Sequence, residues 1–195
     1  MIQHLAAVNG MVMENMTRSY AWRFLEMGRR LERVRHLSKL IRHLASRGTP
    51  EATGALNLLL EVADSSITYR TRYRAEAQLA AVLDLLLADE TNPRSVIFQL
   101  QTFDAHMGDL PHEETAASLN PAQKIITRVC TDIRLTDMIQ IAELTKTTKV
   151  RANLVRLLKQ LDLGVQQLSD IVAHTYFSHS LSQRISGPQW LEGIP

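Results

Sequence analysis

Cysteine is almost absent from this chain, with Cys130 the only one in 195 residues. An internal disulfide is therefore excluded, and a reducing, cytoplasmic setting is the expectation. No apolar run approaches the roughly 20 residues that a membrane-spanning helix needs. The first sixteen residues are mildly apolar, but Asn9, Glu14 and Asn15 interrupt them and no basic stretch precedes them, so no signal peptide is expected. Lysine plus arginine (22) barely exceeds aspartate plus glutamate (20), so the formal charge of +2 does not by itself demand an anionic partner.

Motifs that carry known chemistries are missing too. The sequence holds no Glu-x-x-His, no Cys-x-x-Cys and no His-Glu-x-x-His, which argues against a carboxylate-bridged di-metal centre or a zinc site. Glu32/His36 and Asp170/His174 have a chelating spacing, but such pairs are common by chance, and neither metal nor cofactor is expected. Gly-x-Ser-x-Gly, a phosphate loop and a dinucleotide fingerprint are likewise absent. Cys130, in IITRVCTDI, reads as a small core residue. His106, His174 and His179 are acid–base candidates whose mutual placement the sequence leaves open.

What remains is helical pattern. Leucine, alanine, arginine and methionine are plentiful while aromatics make up 5% of the chain, a bias that favours helices because straight side chains lose little rotamer freedom there. The strongest signal covers 19–47, where Phe24, Met27, Leu31, Val34, Ser38, Ile41 and Ala45 recur at three- and four-residue spacing. Leu37 and Leu44 widen that seam into a bundle face, and Gly28 beside it offers room for another helix. Gly48-Thr49-Pro50 ends it.

Further helices are predicted over 3–16 (stripe Leu5, Val8, Val12, Met16), 51–73 (Leu56, Leu59, Leu60, Ala63, Ile67), 78–88, 93–107, 121–132, 136–146 and 148–181. Asn92-Pro93 and Asn120-Pro121 read as two helix starts of one kind, Asn as cap and Pro as first helical residue. Residues 109–119 read as a flexible connection. No segment alternates as a half-buried strand does. The fold class is all-α: a single helical bundle of about six to eight helices over 1–185, with two long helices, and an irregular tail over 186–195.

Two polar constellations stand out. Arg23, Arg29, Arg30, Arg33, Arg35, Lys39, Arg42 and Arg47 share the helix 19–47 with only Glu26 and Glu32 as acids. On a helical wheel these cations lie on several sides of the seam, without interleaved aromatics, so ion pairs such as Glu26–Arg30 on a solvated face compete with a phosphate-binding stripe. The second constellation is EVADSSITYR (61–70). Glu61 and Asp64 neighbour each other on one face, followed by Tyr69, Arg70 and Tyr73. If that face points inward its acids need partners, and Arg29 and Arg33 are the expected ones, as a structural network or as a ligand site.

The segments MENMTRSYAWRFLEMGRRLERV (13–34), LLEVADSSITYRTRY (59–73), VLDLLLADETNPRSVIFQL (82–100) and YFSH (176–179) together resemble the C-terminal half of the bacterial alpha-E domain family. The residues its motifs emphasise fall at Trp22, Arg29, Glu32, Arg33, Glu61, Asp64, Tyr69, Arg70, Asn92, Pro93 and Arg94. The resemblance implies an all-helical domain associated with circularly permuted ATP-grasp proteins and a role in making or modifying a peptide or related amide-linked product. It brings no catalytic residues with it.

Full-length members of the family that it resembles carry an N-terminal half with its own helix similar to WRFLEMGRRLER, of which only one copy is present here. A fragment, a truncated product and a naturally short version all fit that departure, and if a half is missing the apolar surface it covers is left for self-association or for a partner. The leading expectation is an accessory module that binds an ATP-grasp protein, or an anionic or peptide ligand, through Arg29, Glu32, Arg33, Glu61, Asp64, Tyr69, Arg70, Asn92 and Arg94. The alternative is an enzyme using Glu61 or Asp64 as acid or base, and the minor one a nucleic-acid binder through 19–47.

Overall fold

The computed structural model describes residues 2–48, 54–111, 119–144 and 150–178, with residues 2, 3, 5, 6 and 9 described by backbone alone. The tail 186–195, residues 179–181, the Leu5 side chain, Thr49-Pro50 and most of the connection 109–119 lie outside them. Among the described residues there are nine α-helices and no strand: α1 (Ile2–Asn15), α2 (Tyr20–Ala45), α3 (Ala55–Val62), α4 (Ser66–Tyr73), α5 (Leu79–Leu83), α6 (Val96–Gly108), α7 (Pro121–Arg134), α8 (Met138–Ala142) and α9 (Ala152–Phe177). A π-helical turn over Asp84–Ala88 continues α5.

Four helices form a closed ring in which α2 packs on α6, α6 on α7, α7 on α9 and α9 back on α2. The ring encloses the seams read from the sequence: Met27, Leu31, Val34 and Ile41 from α2 share one buried core with Leu154, Leu158, Leu161 and Leu168 from α9. Each such side chain removed from water contributes about 1.5–3 kcal/mol. Helices α3, α5 and α8 cover the rest of the core, α3 lying on both α2 and α5. Helix α1 stands outside the ring, and its Val8 and Met11 are exposed.

Gly164 lets α9 approach α7 closely, since a Cβ there would meet Val129 Cγ2 at 2.9 Å. Gly28 makes no such approach: it is exposed, and a Cβ there would meet nothing within 4 Å. Arg151 ties three helix ends together. Its buried guanidinium donates to the carbonyls of Ala142 (2.6 Å), Ala45 (3.0 Å) and Gly48 (3.1 Å), carbonyls near helix ends that have no intrahelical donor.

Two predicted elements are corrected. The helix expected over 51–73 is two helices, broken at Ala63–Ser65. Asp64 adopts φ +51°, in the left-handed region that Asp tolerates better than most residues. The Asp64 N–H bonds the Glu61 carbonyl (3.0 Å) and the Ser65 N–H bonds the Leu60 carbonyl (2.8 Å), the paired closure of a Schellman turn. The break rotates α4 so that Ile67, expected in the core, is 83% exposed.

The second correction concerns Asn92-Pro93. Ser95, not Asn92, caps α6, its Oγ accepting from the Phe98 N–H at 3.1 Å. Asn120-Pro121 does open α7, because Gln123 three residues on returns a hydrogen bond and completes a capping box.

Candidate functional site

The residues singled out by sequence separate into three places. The first is a cavity of about 400 Å³ between α2, the end of α3 and the turn before α6, lined by Glu32, Arg33, His36, Asp64, Arg94 and Gln99 over apolar walls. The Schellman turn sets Asp64 on its rim, where the carboxylate pairs with Arg94 while remaining 77% exposed. Asn92 braces both partners from beneath. Buried at 3% exposure, it donates from Nδ2 to the Leu85 carbonyl (3.0 Å) and to Ser65 Oγ (3.4 Å), and its Oδ1 accepts from the Arg94 N–H (3.1 Å).

Arg33 has no acid within ion-pair distance among the described residues. Partial burial lowers its pKa from the ordinary value, and the guanidiniums of Arg30, Arg94 and Arg29 add to that, with Glu26 opposing them. An arginine stays charged under such pressure, so Arg33 remains a cation despite its partial burial and its cationic neighbours.

The second place is a larger cavity of about 980 Å³ between α3, α4 and the link 74–77, where Glu61, Tyr69, Arg70 and Arg74 line the wall. Tyr69 is buried and structural. Its hydroxyl donates to the Glu76 carbonyl (3.1 Å), accepts from the Gln78 N–H (3.1 Å), and its ring leans on Tyr73 at 4.8 Å. Glu61 and Asp64 therefore face different cavities, because the turn between them swings Asp64 away.

The third place is buried within α2 itself. Glu26, 2% exposed, receives Arg29 Nη1 on Oε1 at 2.7 Å and Arg30 Nη2 on Oε2 at 2.8 Å. Arg30 Nη1 also donates to Gln99 Oε1 of α6 at 3.2 Å, and Gln99 in turn donates to the Pro93 carbonyl. The expected pairing of Arg29 and Arg33 with Glu61 and Asp64 is thus replaced: Arg29 belongs to Glu26, and Asp64 belongs to Arg94. Sequence reading treated Glu26–Arg30 as a surface pair and passed over Gln99. The available signal was Glu26 three and four residues before two arginines, level with Met27 at the edge of the seam.

The rest of the basic helix is largely neutralised or turned elsewhere. Arg23 pairs with Asp109 and Arg42 with Asp162, whereas Arg35 and Lys39 line a groove against α9 that also holds Asp162 and Asp170. Cys130 is buried in the ring, and burial pushes its thiol up to about 11, so near neutral pH it packs as a thiol. Among the described residues no group of three or more His, Cys, Asp and Glu converges as a metal site requires, and no helix is long and apolar enough to cross a membrane.

This is an all-helical domain with an arginine-bearing cavity at the junction of α2, α3 and α6. Residues 1–177 match the Alpha-E family, described as a predicted alpha-helical domain with a conserved ER motif, and the chain belongs to that family. Over 173 residues it is 28% identical to uncharacterised proteins of Mycobacterium bovis and of Mycobacterium tuberculosis, a match covering 88% of this chain and 19% of theirs. The chain spans about a fifth of the length of these relatives. No solved structure matches it.

Proposed function

We propose that this chain is an accessory helical module of an ATP-grasp-associated peptide synthesis or modification system in the cytoplasm, and that it holds an anionic group of its ligand or partner protein at Arg33 and Arg94. The observation that carries the binding site is Arg33, a guanidinium lining a cavity of about 400 Å³ with no acid partner among the described residues, beside Arg94, whose guanidinium pairs with an exposed carboxylate. The one Glu-Arg dipeptide of the sequence, Glu32-Arg33, lines that same cavity, which supports placing the site there. The link to an ATP-grasp protein rests on the family resemblance alone.

Such a site binds rather than turns over. Guanidiniums only donate and stay protonated, so they orient and neutralise an anion without exchanging a proton with it. The alternative, an enzyme using Glu61 or Asp64 as acid or base, is less well supported, since Asp64 is held by Arg94 and Glu61 opens on a different cavity from Arg33 and Arg94.

The test is co-purification of this chain with an ATP-grasp protein encoded near it, followed by ATP turnover measured with and without the chain. The expected result is a complex and altered turnover, both weakened by Arg33→Gln, a change that breaks no ion pair among the described residues. No complex and unchanged turnover would overturn the proposal.

A further inference from the structure

The Arg33/Arg94 cavity is two-sided. Besides its charged residues it is lined by Leu37, Leu40, Val62 and Ala63, of which Leu37 is buried, Leu40 and Ala63 are half-buried and Val62 is exposed. A ligand that fills it must therefore join an anionic end to an apolar body.

The charges also limit the anion. Among the residues lining the cavity, Arg33 and Arg94 stand against Glu32 and Asp64, a balanced set, so once Asp64 leaves Arg94 one positive charge is left over. A monoanion neutralises that excess. A dianion such as a phosphate monoester would add a second negative charge beside Glu32 and Asp64, which also line the cavity.

Asp64 shows what chemistry Arg94 accepts. Its carboxylate already sits on the Arg94 guanidinium, whose planar fork matches a carboxylate's two oxygens. That pair is exposed and correspondingly weak, so an incoming carboxylate that also buries an apolar stem can displace Asp64 and lie between Arg94 and Arg33.

Resting on the anion-holding reading above, we infer that the cavity takes a carboxylate on a short apolar stem, the chemistry of a peptide's free C-terminus ending in a branched apolar residue, with Asp64 as the carboxylate it displaces. The experiment uses the whole chain and isothermal titration with four probes: N-acetyl-Ala-Ala-Leu as the free acid, the same peptide as its C-terminal amide, octanoate, and inorganic phosphate. The free acid binds, the amide binds at least about tenfold more weakly, and octanoate and phosphate bind more weakly than the free acid. Arg33→Gln and Arg94→Gln each weaken the free acid about tenfold, the loss expected for one charge-assisted hydrogen-bonding partner.

Asp64→Asn is the diagnostic variant. Asn also tolerates the left-handed turn, so the fold is kept while the competing charge is removed, and the free acid binds several-fold tighter. Equal binding of acid and amide overturns the inference, as does an unchanged or weaker affinity in Asp64→Asn. Tighter binding of phosphate overturns it while sparing the anion-holding reading, and tighter binding of octanoate overturns the peptide assignment. Absence of any anion binding, with Arg33→Gln silent in the ATP-grasp complex, removes both.

Discussion

Arg30 lies one turn after Glu26 on α2 and closes a buried ion pair with it, Nη2 to Oε2 at 2.8 Å, while its other terminal nitrogen crosses to Gln99 of α6. A carboxylate at 2% exposure is tolerated there because two guanidiniums share it.

Glu26→Ala should be severely destabilising. It leaves Arg29 and Arg30 facing each other and Arg33 without their carboxylate, and breaking a buried pair from one side costs about 3–5 kcal/mol. Urea unfolding followed by circular dichroism measures it. A loss below about 1 kcal/mol would mean that water, not Glu26, neutralises these arginines.

Two of the helical glycines, Gly28 and Gly164, should respond with opposite sign to alanine. Gly28→Ala meets nothing within 4 Å and gains the better helix former, about 0.5–1 kcal/mol of stability. Gly164→Ala drives a methyl to 2.9 Å from Val129 Cγ2, and the strain between α7 and α9 should outweigh the same gain, for a net loss of about 1–2 kcal/mol. Thermal melts of the pair decide it, and a stabilised Gly164→Ala would mean that Val129 gives way freely.

Asn92→Asp tests the brace beneath the cavity. The substitution replaces the donor to the Leu85 carbonyl and Ser65 Oγ with an acceptor in a buried place, so about 2–3 kcal/mol should be lost at neutral pH. Because the Oδ1 bond to the Arg94 N–H is geometrically retained, binding should suffer less than in Asn92→Ala, which removes that anchor as well. Equal loss of binding in the two variants would show that Asn92 does not position Arg94.

His106 makes stability depend on pH. Burial pushes its imidazole below the ordinary range, and the nearby Arg23 and Arg30 reinforce this while Glu26 and Asp109 oppose it. Above about pH 6.5 the residue is neutral both folded and unfolded, so it contributes no difference. As pH falls from there toward the lowered folded value, the unfolded chain takes up the proton first, and stability is lost. His106→Gln also gives up the edge-on contact with Trp22 (centroids 5.1 Å apart), so it should be less stable throughout but lose less between pH 7 and pH 5. The measurement is the slope of unfolding free energy against pH. An unchanged slope in the variant would assign the acid sensitivity to other groups.

Much of the fold was legible because it is local. The three- and four-residue recurrence of Met27, Leu31, Val34, Ser38, Ile41 and Ala45 identified the buried face of α2, and the leucines of α9 did the same, since a helix carries its periodicity within itself. The Asn120-Pro121 start was legible for the same reason, with Gln123 one turn away. Asn92-Pro93 misled because the third residue on is Ser95, whose own hydroxyl takes the cap and frees Asn92 to bridge Leu85 and Ser65.

The sequence by itself determined the all-α class, the two long helices and which of their faces turn inward, because hydrophobic period and cap chemistry act over one or two turns of chain. Only the tertiary structure decided which charges meet. Glu26 is buried where α2 packs on α6, Asp64 reaches Arg94 because a left-handed turn breaks α3 from α4, and Arg33 has no acid within ion-pair distance among the described residues because Asp64 is taken by Arg94 and Glu61 opens on another cavity. Those outcomes depend on helix crossings and on one turn's angle, set by packing between residues far apart in the chain.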